Sequence, residues 1–212
     1  FWLKPFWLKS LPPQGAHAFS RTVVSLAAER AMAASGQLTP AAAMLEVEQL
    51  QPDRRPLGWR NWANLAAYLA NAAVTYTSLA GIYGKTNTEL SEKYQTLLTP
   101  AGWAFSIWGP IFVAEGTWAV AQMLGRFRAH PAVEEGTPWW LATCAFQVCW
   151  TVAFAREAIW LSCAMMLGIL GSLAGMAIQA DRAQLSCRDY AALRAPFALH
   201  LGWIVCASAV NA

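Results

Sequence analysis

An acid and a histidine of this 212-residue chain stand deep inside long apolar runs: Glu115 within 102–124 and His200 within 195–212. At that depth an ionisable group marks function by default. Glu115 has three chemistries open to it: a protonated acid bonded to a neighbouring helix, half of an ion pair, or an axial ligand to a pigment metal. His200 reads as a hydrogen-bonded core group or as such a ligand. His130, ahead of Pro131, and His17 have no partner that the sequence identifies. The chain contains no glycine-rich phosphate loop, no paired catalytic carboxylates and no nucleophile–base motif, so no catalytic residue is expected and the chain does not read as an enzyme. Cys144, Cys149, Cys163 and Cys206 lie in apolar runs and Cys187 between two of them. None has zinc or redox spacing, so they read as small packing residues and no structural metal is expected.

A second constellation is neutral. Asn64, Tyr68, Asn71, Thr75 and Ser78 recur at steps of four, three, four and three, a near-heptad spacing that keeps them on one helix face. Turned to lipid, the amides would be costly, so the stripe must face the bundle interior or a partner. Hydrogen bonding between helices and the lining of a ligand cavity are the two readings. Gly168, Gly171 and Gly175 recur along another run, and Gly171-Ser-Leu-Ala-Gly175 is a GxxxG. It admits close approach of a second backbone, within a bundle or across a dimer.

Composition dictates the elements that must carry these residues. Hydrophobic residues make up 57% and charged residues 13%, with twelve tryptophans and a mean hydropathy of +0.32. A soluble domain carries about 25% charged residues. Five apolar runs, 59–83, 102–124, 138–155, 158–180 and 195–212, are each 18 to 25 residues long. A membrane-spanning helix needs about 20, and in lipid a helix satisfies its own backbone groups. The expected architecture is therefore an all-α integral membrane bundle of five helices over 59–212. The apolar content excludes disorder, five cysteines are too few for a disulfide scaffold, and a net charge of +3 is too small and dispersed for nucleic acid.

The loops orient the bundle. With residues 1–58 on one side, that side collects Arg54, Arg55, Arg60, Arg126, Arg128, Arg182, Arg188 and Arg194, against Lys85, Lys93 and Arg156 opposite. This bias predicts a cytoplasmic or stromal-equivalent N-terminal side. Residues 1–58 read as an extramembrane arm with short helices at 20–35 and from Thr39-Pro40. It opens on a tandem repeat, Phe1-Trp-Leu-Lys-Pro5 and Phe6-Trp-Leu-Lys-Ser10. Aromatic rings beside lysine suit the headgroup layer or packing on a neighbouring protein. With no initiator Met and no signal-peptide h-region, the chain is expected to be processed or trimmed. Its end inside the last apolar run leads us to expect a native chain that continues.

The tryptophan-rich segments can now be taken together. Thr99-Pro-Ala-Gly-Trp-Ala-Phe-Ser-Ile-Trp-Gly-Pro-Ile-Phe112 resembles the Pro-Gly-Trp-x-Phe-x-x-x-Trp signature of the tryptophan-rich sensory protein (TspO) family, which includes the peripheral benzodiazepine receptors. Residues 194–211 resemble that family's last helix, with the spacing Trp203-x3-Ala207-x3-Asn211 on one face. Phe146-Gln-Val-Cys-Trp150 is similar, more weakly, to its third-helix motif. The resemblance covers 59–212 and is nearest the cyanobacterial and algal branch. It implies a five-helix bundle whose pocket is closed by the first loop, here 84–98. It also implies a hydrophobic ligand: a porphyrin or chlorophyll-type tetrapyrrole, a carotenoid or a lipid. Carried over, the pocket residues are Trp103, Phe105, Trp108, Trp150, Trp203, Ala207 and Asn211. Trp139, Trp140 and Trp160 read instead as interfacial or packing residues.

The chain departs from the pattern of porphyrin-binding relatives in three places. Its first loop has no tryptophan and only Pro100 near its end; Pro196 and Trp203 are seven apart rather than four; and His200 stands where the algal-type branch has tyrosine. Two functions follow as expectations. One is a ligand-binding membrane protein acting as sensor, carrier or scaffold. The other is an accessory subunit of a membrane pigment–protein complex, a thylakoid photosystem type, attached to other subunits through the arm, with Glu115 and His200 as candidate pigment-metal ligands.

Overall fold

The computed structural model describes residues 56–95 and 99–211, without the side chains of Arg188, Val210 and Asn211. The tandem repeat and the helices expected within residues 1–55 lie outside the described residues. All elements among the described residues are helical: α1 Trp59–Leu79, α2 Asn87–Lys93, a 3-10 turn Gly102–Ile107, α3 Trp108–Ala121, α4 Pro131–Glu134, α5 Thr137–Ala155, α6 Ile159–Arg182, α7 Cys187–Leu193 and α8 Ala195–Asn211.

The apolar runs become helices with adjusted ends. Asn61 Oδ1 accepts from the Gly58 N–H at 3.0 Å and starts α1, whose end gives way to Gly81 at φ 73°. The run at 102–124 departs most from expectation. It opens as a 3-10 turn, and only from Trp108 as an α-helix of 14 residues. The cause is Pro110: it lacks an N–H and its ring excludes a preceding α-helical turn, so it is tolerated only in the first turn. Of the described helices, α6, with 24 residues, is the one long and apolar enough by itself to cross a membrane.

The long helices pack in a closed ring, α1 against α3 and α5, α3 against α8, α8 against α6, and α6 against α5. The α5–α6 contact rests on small residues. A Cβ on Gly168 would come within 2.7 Å of the Phe146 ring, and one on Gly175 within 2.4 Å of the Trp139 ring. A Cβ on Gly171 would meet nothing within 4 Å, so the two ends of the GxxxG do not share a partner; the working pair is Gly168 and Gly175.

One end of the ring, where α1, α5 and α8 begin, is sealed. Trp118, Trp140 and Phe197 are fully buried and meet edge to face with centroids 5.1–5.5 Å apart. The upper part of the polar stripe closes this end by hydrogen bonds. Asn61 donates to Gln122 O, Gln122 Oε1 and Arg128 O at 3.0–3.2 Å. Asn64 donates to Gln122 Oε1 and Thr137 Oγ1, and Trp140 Nε1–H donates to Asn64 O at 3.1 Å. Ion pairs Arg126–Asp189 and Arg194–Asp181 tie the connecting segments outside it.

Candidate functional site

The opposite end is built differently. The 3-10 turn and the start of α3 supply Phe105 and Trp108, the last turns of α5 supply Trp150 and Phe154, and α8 supplies Trp203. Trp108 lies 6.3 Å from both Trp150 and Trp203, centroid to centroid. Phe105 stands edge-on to Trp203 at 6.4 Å, and Trp150 stacks on Phe154 at 5.2 Å. Instead of closing on one another, these rings wall a cavity of about 290 Å3. A recess of about 160 Å3 lies toward α1, bordered by the same Phe105, Trp108 and Trp150 and by Thr75, Ser78 and Gln147.

The segment between α1 and α3 covers this end. Thr86 and Glu89 form a capping box: the Thr86 N–H donates to Glu89 Oε2 at 2.7 Å and the Glu89 N–H to Thr86 Oγ1 at 3.3 Å. The box holds α2 and pulls the Glu89 carboxyl below its ordinary range. Leu90 on α2 is fully buried and borders the cavity with Ser91 and Tyr94. The turn between α5 and α6 clamps the cover. The Lys85 N–H donates to Ala155 O at 3.1 Å, and Glu157 takes Lys85 Nζ at 2.9 Å, the Tyr94 hydroxyl at 2.7 Å, and Lys93 Nζ. Hydrogen bonds from Lys93, Tyr94 and Lys85, in that order, hold the Glu157 carboxyl down to about 2. Gly84 lies directly on this turn: a Cβ there would sit 2.2 Å from Ala155 O.

Polar groups in the wall are left unspent. Gln147 Oε1, Trp150 Nε1 and Thr75 Oγ1 are buried and make no hydrogen bond, and all three residues border the recess. A buried polar atom without a partner costs about 1–3 kcal/mol, and the sealed end carries such atoms too, Asn64 Oδ1 and Arg194 Nη1 among them. The stripe is thus divided: Asn64 and Tyr68 bond across helices, Tyr68 to Phe112 O at 3.0 Å, while Thr75 and Ser78 face the recess.

Between the two ends, His200 Nδ1 and Glu115 Oε1 meet at 2.6 Å, both side chains fully buried. The two candidate pigment-metal ligands are therefore each other's partner, with Glu115 Oε2 and His200 Nε2 making no hydrogen bond. His200 also stands edge-on to Trp108 at 5.5 Å. No group of three or more His, Cys, Asp or Glu side chains is placed to hold a metal among the described residues.

Of the residues carried over from the resemblance, Phe105, Trp108, Trp150, Trp203 and Ala207 border the cavity. Trp103 does not; it is 80% exposed, turned outward by the 3-10 geometry. Asn211 ends α8, and its side chain lies outside the described residues. Trp140 is a core packing residue and Trp160 is 90% exposed. The reading from sequence passed over Leu90, Tyr94, Phe154 and Gln147. A signal existed for the first two, the capping-box spacing Thr86-x-x-Glu89.

A family model described as TSPO-like protein matches residues 61–212. No curated protein and no solved structure matches the chain.

Proposed function

The chain belongs to the TSPO-like protein family, and on that premise we propose that this membrane protein of the TspO type binds a hydrophobic ligand in its aromatic cavity, as sensor, carrier or scaffold. The carrying observation is that tryptophans from three helices, Trp108, Trp150 and Trp203, wall one cavity of about 290 Å3. Indole faces give a large apolar contact with a polar handle, and the volume is near the lower end of ligand sites, about 300 Å3. Planar pigments, tetrapyrroles among them, carotenoids and lipids are the ligand classes that such a wall suits.

In this reading α1, α3, α5, α6 and α8 are the five spans. Exposed Leu69, Val113, Leu167 and Val205 then face lipid. Helix α3 alone rises about 21 Å; the 3-10 turn before it adds about 12 Å, so the two together match a hydrocarbon core of about 30 Å. The arginine-rich sealed end faces the cytoplasmic or stromal-equivalent side, and the cavity opens toward the other. Labelling of single cysteines at Ser91 and at the exposed Glu135 checks this: reaction of both from one face refutes it.

Binding itself is tested by calorimetric titration of hydrophobic ligands into the purified chain and its Trp203→Ala variant. We expect affinity to fall by about tenfold, the loss of roughly 1.4 kcal/mol of contact, with the thermal transition nearly unchanged. Unaltered affinity would reduce Trp203 to a packing residue. The tandem Phe-Trp-Leu-Lys repeat favours a second reading, attachment through the arm to a larger pigment–protein complex. Deleting residues 1–50 would then release the chain from that complex, and co-purification at full stoichiometry would refute the attachment.

A further inference from the structure

The cover has a second, outer face. Thr88 and, one turn on, Ser91 and Glu92 line it from α2, with Gln95 just past the helix end and the segment 99–102 opposite; together they border a groove of about 280 Å3. Its lining is polar where the cavity's is aromatic: the hydroxyls of Thr88, Ser91 and Thr99, the Gln95 carboxamide and the Glu92 carboxylate. Glu89 and Glu157 are spent on the capping box and the clamp. Glu92 is exposed, and no hydrogen bond or ion pair holds its side chain among the described residues. No Lys, Arg or His borders the groove, and the neighbouring Lys85 and Lys93 are both engaged by Glu157.

The groove also has a level. Trp103, next to Gly102, and Trp160, at the start of α6, are exposed at this end, as Trp59 and Trp62 are at the sealed end. Exposed tryptophans at both ends of a bundle mark the two headgroup layers, so the groove stands in the layer at the cover's end. Its chemistry discriminates among headgroups. An ionised phosphate only accepts hydrogen bonds and would meet the Glu92 charge with no cation to offset it. A sugar hydroxyl both donates and accepts. Adjacent hydroxyls of one ring can donate to the Glu92 carboxylate, a charge-assisted bond, and exchange bonds with the Gln95 amide. The volume is near the lower end of small-molecule sites, about 300 Å3, room for one ring rather than a chain of them.

Going beyond the cavity's ligand, and using only the membrane placement given above, we propose that this groove binds the headgroup of a neutral glycolipid. One hexose ring seats against Glu92, Gln95 and the hydroxyls, with its acyl chains in the adjoining leaflet.

Native mass spectrometry of the full chain tests this by the lipids it retains from nanodiscs. The discs hold equal amounts of monohexosyl diacylglycerol, phosphatidylglycerol, phosphatidylethanolamine and unsubstituted diacylglycerol. The hexosyl lipid should be retained about fivefold or more over each of the others. Glu92→Ala and Gln95→Ala, both at exposed positions, should each bring it down to the level of diacylglycerol with the thermal transition unchanged. Glu92→Lys should turn the preference toward phosphatidylglycerol. Trp203→Ala should leave the preference intact; its loss there would put the lipid in the cavity and overturn the groove. Phosphatidylethanolamine held as well as the hexosyl lipid would mean an ammonium on Glu92 and overturn the sugar. Binding of free methyl hexoside in detergent as tightly as the lipid would assign the groove to a soluble saccharide and overturn the lipid source. Equal retention of all four lipids overturns the site and leaves the cavity's binding function, read by its own titration, standing.

Discussion

The two ends of the ring use the same residue types to opposite effect. At one end Trp118, Trp140 and Phe197 close on one another edge to face, and Asn61, Asn64 and Gln122 engage each other and the neighbouring backbone. At the other Trp108, Trp150 and Trp203 stand around empty volume, and Gln147, Trp150 and Thr75 keep polar atoms without partners. The first end has the packing that stability demands, with Asn64 Oδ1 left unpaired within it. The second forgoes that packing. A folded chain tolerates such a shortfall where something else is meant to fill it, so neither tryptophan richness nor an unpaired polar atom marks the site by itself; what marks it is the open volume between the rings.

The contrast is open to experiment, from the largest effect downward. Trp140→Ala should destabilise the fold by about 3–5 kcal/mol through the void it leaves and the loss of the bond to Asn64 O, read as a depressed thermal transition. If Trp203→Ala were as costly to folding, the ends would not differ in kind. Glu115→Ala should cost about 1–3 kcal/mol by leaving His200 buried and unpaired. Because His200 abuts Trp108, ligand affinity should fall modestly with it. The smallest effect concerns the clamp. Glu157→Gln should speed ligand exchange with little change in the thermal transition, and raised salt should do the same to the parent chain, because this ion network is exposed and screened.

The pH behaviour of that clamp follows from its sign. Glu157 binds its proton more weakly in the folded chain, at about 2, than a free glutamate at about 4.3. Its contribution is complete above the ordinary carboxylate range and is lost as pH falls toward 2. Exchange rates should therefore be flat between pH 5 and 8 at constant salt, wherever Glu157 alone controls the cover. A steep change in that window would assign control to another group.

Much of this arrangement was legible in the sequence because its signals are periodic. The length of each apolar run foretold a helix, and the four–three steps of Asn64, Tyr68 and Asn71 foretold a buried face. Trp103 came from the resemblance and not from periodicity, and residues 102–107, wound at three residues per turn ahead of Pro110, leave its ring exposed. Leu90 and Tyr94 were legible only in part, for another reason. The capping box predicts that α2 exists, and only the tertiary contact of Lys85 and Tyr94 with Glu157 tells where it lies. Gln147 reads as one more polar residue in an apolar run until its missing partner is seen. The family model's match over 61–212 agrees with the motifs at 99–112 and 194–211, the two stronger of the three places where sequence alone pointed to kinship.

The contact through Gly168 and Gly175 has a mechanical consequence. With Phe146 and Trp139 seated where side-chain carbons would otherwise stand, α5 and α6 have almost no slack to slide or part. They act as a stiff back plate that carries Gln147, Trp150 and the turn with Glu157 at fixed mutual distances. Any yielding needed to admit a guest falls on the thinner front: the two turns of 3-10 helix, the short α2 and the far end of α8. The molecule is then compliant on one side only, and guests of different thickness would be accommodated by movement of that side against an unmoving ruler.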